Sequence, residues 1–278
     1  MYFNPRIEQK IVRAVLWLFT FITVAILVFI IVFILRKGLP AITWEFLSRN
    51  PVDMGRSGGI FSTIVGTLAL TLMALLVATP LGVGTAIYLA EYTSENRMTR
   101  IIRFGAECLA GIPSIIFGLF GFILFVTTLG FGWSILSGGL TLAFMILPTI
   151  IRTSEEAIRS VPASYRQVSF SLGSTKWQTV SRVVLPSALP GIVTGVILSI
   201  GRSIGETAAV IFTAGSVLRL PSSVFSSSRT MAVHFYILAR EGISMSMAYG
   251  TAAVLVVSIL VINLLTYYLM EKFIRRYS

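Results

Sequence analysis

Hydrophobic residues in this chain fall in long runs separated by short polar intervals. Residues 14–35, 60–90, 107–129, 133–151, 188–216 and 248–270 are each predominantly apolar. A helix needs about 20 such residues to cross a hydrocarbon core ~30 Å thick, so the pattern predicts roughly six transmembrane helices and an all-α polytopic membrane protein. The run 60–90 exceeds one straight crossing, and Pro80 with Gly82 and Gly84 predicts a kink near its end. The run 107–129 is interrupted by Gly111, Pro113, Gly118 and Gly121. Small residues let helix backbones approach, and a proline frees a carbonyl that protein or water must satisfy. This suits a segment lining a pathway, although ordinary packing is the simpler reading of any one glycine.

The polar intervals are equally informative. Residues 36–59 read as a loop with turn signals at Pro51, Gly55 and Gly58-Gly59, and 130–132 as a tight turn. Residues 91–106 form a charged connection with Arg97, Arg100 and Arg103, suited to a minor partner contact. Within 217–247, Val233–Leu238 suggests a short re-entrant or interfacial helix, His234 a polar surface group and Ser226-Ser227-Ser228 a flexible tip. Cys108, in an apolar run, reads as a packing residue.

The longest internal polar interval is Thr153 to Pro190. Pro162 suits the first turn of a helix and Gly173 its end. Val161, Tyr165, Val168 and Leu172 form an apolar stripe at helical spacing, with Arg159, Arg166 and Gln167 off it. A second helix opens at Thr175 with Gln178 three residues on, a capping-box pattern. Trp177, Val180 and Val184 share its face, and Leu185-Pro186 is expected to end it. Such a hairpin can lie on the bundle or bilayer surface, or offer its apolar stripe to a soluble partner.

Composition agrees with a membrane location. Hydrophobic residues make up 55% and charged residues 12%, about half the usual share in soluble domains. The net charge of +11 would suit nucleic acid, but its distribution argues against that partner. Of 22 basic residues, 14 fall on one expected side, seven on the other, and Arg202 alone at membrane depth. This asymmetry predicts cytoplasmic N- and C-termini. The first run has no small-residue cleavage signal after it and reads as an anchor. One cysteine leaves no internal disulfide or cysteine metal cluster, and no 20–50-residue repeat is evident.

Gly201-Arg202-Ser203-Ile204-Gly205-Glu206-Thr207 interrupts the fifth run with charge. Arg202 and Glu206, four apart on a helix, would share a face with Gly191, Gly195, Ala209 and Thr213. Intramembrane charges face a bundle interior or a cavity, and an arginine fork suits tetrahedral oxyanions. A structural ion pair between helices is the competing reading. No P-loop, H-E-x-x-H or nucleophile elbow occurs, so neither ATP hydrolysis nor intramembrane enzymology is expected of this chain.

The text GSTKWQTVSRVVLPSALPGI resembles the cytoplasmic coupling-loop motif of ABC importer permeases, with Gly173, Val183, Leu185 and Pro186 at the motif positions. Gln167-Val168-Ser169 replaces the usual Glu-Ala-Ala. AGIPSIIFGLFGF, IIRTSEEAIRSVP and GRSIGETAA resemble the PstA-like permeases of phosphate-specific (Pst) importers. The resemblance implies a type I ABC importer permease fold, with residues 1–59 as anchor helix and external loop and 60–278 as the permease core. It implies an ATPase contact through Tyr165, Gln167, Ser169, Leu172, Gly173, Thr175 and Trp177, and a substrate pathway through Gly201, Arg202, Ser203, Gly205, Glu206 and Thr207. The implied partners are a homologous PstC-like permease, two PstB-like ATPases carrying ATP and magnesium, an extracytoplasmic PstS-like phosphate-binding protein, and the lipid of a prokaryotic plasma (inner) membrane. No cofactor is implied in this chain. A permease for molybdate, sulfate or a phosphonate, and a non-transporting scaffold or signalling subunit, remain as alternatives.

Overall fold

A computed structural model describes residues 5–94 and 96–277. The side chains of Arg6, Arg275 and Arg276, counted among the basic residues above, lie outside the described set. Helix α1 (Pro5–Gly38) leads to a short α2 (Trp44–Ser48) and a minimal antiparallel hairpin, β1 (Pro51–Val52) and β2 (Ser57–Gly58), with Pro51 opposite Gly58. Helix α3 (Phe61–Ile87) runs into a wide π turn at Tyr88–Tyr92. Then follow α4 (Arg97–Ala110), α5 (Ser114–Gly121) with a π extension to Thr128, and α6 (Ile135–Ser160). A hairpin of α7 (Ala163–Ser171) and α8 (Lys176–Thr179) leads through a π turn at Val180–Val184 into α9 (Leu185–Ile204). Helices α10 (Ala208–Thr213), α11 (Met231–Arg240) and α12 (Met245–Tyr277) complete the chain.

Five of these stretches are long and apolar enough to cross a membrane, and α4 with α5 makes a sixth only as a pair bent by 103°. The expected span 107–129, with its interruption at Gly111 and Pro113, is this bent pair, whose first arm begins earlier, at Arg97. Gly111-Ile112-Pro113 breaks it, since the residue before a proline is pushed out of helical geometry. The expected connection 91–106 is mostly the helix α4, which exposes Cys108 instead of packing it.

Helices α3 and α6 run parallel at the centre. Gly138 meets Leu70, Gly139 meets Met73, and Gly82 meets Ile150. Leu70, Leu142, Met145, Ile146 and Ile150 are fully buried between them. Lipid tails are as apolar as leucine, so close packing at small residues, not removal from water, holds such helices together. This packing also holds α3 continuous through Pro80; a Cβ at Gly82 would lie 2.7 Å from Ile150 Cγ2. The helical ladder departs from α geometry at Tyr88–Tyr92 instead. Helix α9 returns antiparallel on α6, with Gly191 against Ala157 and Gly195 against Thr153. Gly118 likewise packs on Ala209 of α10 and Gly121 on Thr141 of α6.

Leu185-Pro186 does not end the second hairpin helix, which continues from Lys176 to Ile204. Pro186 falls in the first turn after the wide Val180–Val184 segment, where a missing N–H costs little. The expected serine tip is a strap. Ser227 Oγ donates to the Ala214 carbonyl at 2.7 Å, Ile135 N donates to the Ser226 carbonyl at 3.0 Å, and Ser228 is buried.

Candidate functional site

The hairpin presents an open apolar surface. Gly173 ends α7 with φ +81°, a conformation that glycine adopts without steric cost. The Thr175–Gln178 capping box opens α8, with Gln178 N donating to Thr175 Oγ1 at 3.3 Å and Thr175 N to Gln178 Oε1 at 2.9 Å. Ser169 Oγ and Thr179 Oγ1, 2.8 Å apart, join the two arms. Tyr165, Val168, Leu172 and Trp177 are all more than half exposed, Leu172 reaching 81%. With Gly173 and Gln178, the first three line a groove of about 760 Å³. The stripe thus faces outward, apart from Val161, which is buried. Trp177 also leaves the face that Val180 and Val184 bury. Gln167 is exposed, whereas Ser169, at 7% exposure, belongs to the interior of the hairpin.

Behind this surface is a lock that sequence reasoning missed. Arg166 Nε donates to Glu91 Oε1 at 3.0 Å, joining α7 to the end of α3. Its Nη1 donates to the Val161 carbonyl at 2.7 Å and its Nη2 to the Ile158 carbonyl at 3.0 Å. One guanidinium therefore adds donors to two carbonyls at the end of α6 and neutralises the carboxylate in the turn that ends α3. Beside it, Glu155, only 8% exposed, accepts from Arg103 of α4 at 2.9 Å and Arg159 at 3.0 Å. The i,i+4 spacing of Glu155 and Arg159 was visible in the sequence. The Glu91–Arg166 and Arg103–Glu155 contacts span 75 and 52 residues, and no local pattern announces them.

The segment Gly201–Thr207 breaks the helix between α9 and α10. Gly205 caps α9, and Thr207 has φ −118° and ψ −55°. The expected Arg202–Glu206 pair is not formed; no carboxylate among the described residues pairs with Arg202. The i,i+4 geometry requires an unbroken helix, and Glu206 lies past its end. Both side chains are half-buried, and Ser203 is buried with no hydrogen-bond partner for Oγ among the described residues. The expected small-residue face is also revised. Gly191 and Gly195 are packing contacts, while Ala209 and Thr213 are fully buried. Gly201 itself borders open space, with no neighbouring atom within 4 Å of a Cβ position; Gly205 meets only its own turn. Chemically, this is an uncommitted guanidinium beside a backbone break in an otherwise apolar layer.

At the opposite end of α3, the histidine is buried, not a surface group. His234 is fully enclosed, with Gly55 of the β1–β2 turn against Cε1. Arg229 Nη1 lies 3.4 Å from Nδ1 and, as an obligate donor, favours the neutral ring with its proton on Nε2. Burial and then Arg229 push the His234 pKa down to about 4. Burial also lowers that of Arg229, against the raising influence of Glu241. The fold therefore favours neutral His234. This stabilisation is complete above pH 6.5 and is lost as pH falls toward about 4. The expected loss is up to about 3 kcal/mol. Thermal unfolding of wild type and His234→Gln between pH 7 and 4.5 checks this; parallel pH profiles would refute it.

The family described as the inner membrane component of binding-protein-dependent transport systems matches residues 78–278. The chain belongs to that family. It is 36% identical to the probable ABC transporter permease protein YqgI of Bacillus subtilis (strain 168), over 94% of each chain. It is also 36% identical to the phosphate transport system permease protein PstA 1 of Mycobacterium tuberculosis (strain ATCC 25618 / H37Rv), over 93% of this chain and 86% of that one. Among solved structures it shares its fold with a chain of a bacterial alginate ABC transporter in complex with an alginate-bound periplasmic protein. That match has a TM-score of 0.71, 16% identity and 97% coverage of both chains. A chain of the inward-facing MetNI methionine ABC transporter matches with a TM-score of 0.61 and 18% identity, over 77% of this chain and 94% of that one.

Proposed function

We propose that this chain is the permease subunit of an ATP-driven importer carrying inorganic phosphate into the cytoplasm by alternating access. Its full-length relatedness to permeases named for phosphate transport carries the choice of substrate. The hairpin, apolar outside and locked to α3 and α6 behind, supports the coupling role. In this reading α7 and α8 sit in a groove of a partner ATPase, which holds ATP and magnesium. A PstC-like second permease completes the cavity, and a PstS-like binding protein delivers phosphate from outside. The hairpin end and both termini lie in the cytoplasm, consistent with the excess of basic residues on that side. Closure of the ATPases shifts the hairpin, and the two spans fixed to it reorient the cavity. Arg202, with no carboxylate committed to it among the described residues, offers its donor fork to the passing oxyanion. Glu206, Ser203, Thr207 and the open Gly201–Gly205 backbone shape that passage.

The test is ATP hydrolysis and labelled-anion entry by the reconstituted complex, with phosphate, sulfate or molybdate supplied in turn. Phosphate alone should stimulate both. Equal stimulation by another anion would overturn the choice of substrate, and failure of the ATPase to associate would overturn the coupling role.

A further inference from the structure

Helix α4 exposes large apolar residues that a soluble helix would bury. Its inward side carries the buried Thr99, the half-buried Arg103 bound to Glu155, and Leu109 packed on the core. Its outward side carries Met98, Ile101 and Phe104, each about 65% exposed. The 103° bend at Gly111–Pro113 sets α4 nearly perpendicular to α5, which packs on α10 through Gly118 and on α6 through Gly121. At 14 residues, α4 extends about 20 Å in that direction. Arg97 and Arg100 sit in its first turn, where the helix dipole disfavours cations. Both are exposed, and no carboxylate among the described residues pairs with either. The acid of the helix, Glu107, lies two turns or more further on, at the cavity shared with α6.

We propose that α4 is an in-plane membrane helix that binds anionic phospholipid. Met98, Ile101 and Phe104 would enter the acyl boundary, and Arg97 and Arg100 would hold headgroup phosphates. An apolar face edged by cations that have no carboxylate partner among the described residues matches a negatively charged leaflet at both levels: acyl chains take the face, and headgroup charge offsets the misplaced arginines. A soluble or integral protein partner would have to supply carboxylates at the same height. The inference needs the membrane placement of the spans but not phosphate as the substrate.

Cys108, exposed on α4, supplies a natural probe. A nitroxide is placed there in the assembled complex, its other subunits free of cysteine, in vesicles of phosphatidylcholine with or without 30% phosphatidylglycerol. A second label at Ile101→Cys, in a Cys108→Ser background, reads the apolar face. The expected result is access to oxygen and protection from a water-soluble nickel relaxant at both positions. Brominated phosphatidylglycerol should quench a fluorophore at Cys108 more strongly than brominated phosphatidylcholine. Arg97→Gln with Arg100→Gln should weaken that preference by roughly fivefold per arginine. Free access of nickel to both labels, or exclusion of both relaxants by a covering protein, would overturn the proposal. So would an unchanged lipid preference in the double variant. None of these readouts depends on transport, so they remain decisive even if the phosphate reading fails.

Discussion

Replacing Arg202 by glutamine is expected to abolish phosphate uptake while the complex assembles normally. Arg202 has no carboxylate partner among the described residues, so its removal strands no buried negative charge. A charge at membrane depth itself costs at least ~2.5 kcal/mol, so the variant should be no less stable than wild type. What is lost is the fork that meets the oxyanion. Charge-assisted hydrogen bonds contribute about 1.5–3 kcal/mol each, so losing even one would slow passage roughly 10- to 100-fold. Glu206→Gln makes the informative comparison. Were the two residues a structural pair, either substitution would destabilise the chain and the double variant would restore it. Because Glu206 lies beyond the end of α9, its replacement should leave stability unchanged and reduce uptake less than loss of Arg202. Uptake and thermal unfolding of the three variants decide the matter, and wild-type uptake by Arg202→Gln would eliminate the proposed role.

The second large effect is expected at Arg166. Its alanine variant should still hydrolyse ATP in the assembled complex but move far less phosphate per ATP, by tenfold or more. Arg166 joins α7 to the ends of two central spans through Glu91 and the Ile158 and Val161 carbonyls. Removing it leaves Glu91 in a poorly solvated site and frees those carbonyls, a loss of about 3 kcal/mol for a buried pair. A lysine can satisfy the charge but cannot spread a planar fork of donors over these three acceptors, so Arg166→Lys should recover only part of the coupling. Exchanging the pair, Glu91→Arg with Arg166→Glu, should not recover it, because a carboxylate cannot donate to carbonyls. A transport-to-hydrolysis ratio equal to wild type in Arg166→Ala would show that the hairpin transmits motion by another route.

The contrast between these sites shows what the sequence disclosed. Long apolar runs exposed the spans because a bilayer demands length and polarity together, and 60–90 or 248–270 could hardly form anything else. Turn and cap chemistry is local, so Gly173 and the Thr175–Gln178 box were legible residue by residue. What failed was geometry set by distant packing. The sequence divided 60–90 at Pro80, whereas the helical ladder runs through Pro80 and widens at Tyr88–Tyr92. It placed Arg202 and Glu206 on one helical face, but the helix ends between them. His234 seemed a loop residue because nothing nearby indicates that Gly55 will cover it from 179 positions upstream. The Arg166 lock went unseen for the same reason.

The wide turns at Tyr88–Tyr92 and Val180–Val184 have a mechanical consequence. A π turn holds about one residue more than the α turn it replaces. The second lies on one of the two backbone routes into the hairpin and the first ends α3, so both carry spare length beside the hairpin. A displacement of the hairpin can be absorbed there as a change of winding, before any buried contact of α3 or α9 has to slide. Glu91 belongs to the first of these slack turns and is also the carboxylate that Arg166 grips. The Arg166 joint is therefore fastened to an extensible turn, so a push on the hairpin would arrive at α3 first as rotation and only afterwards as translation.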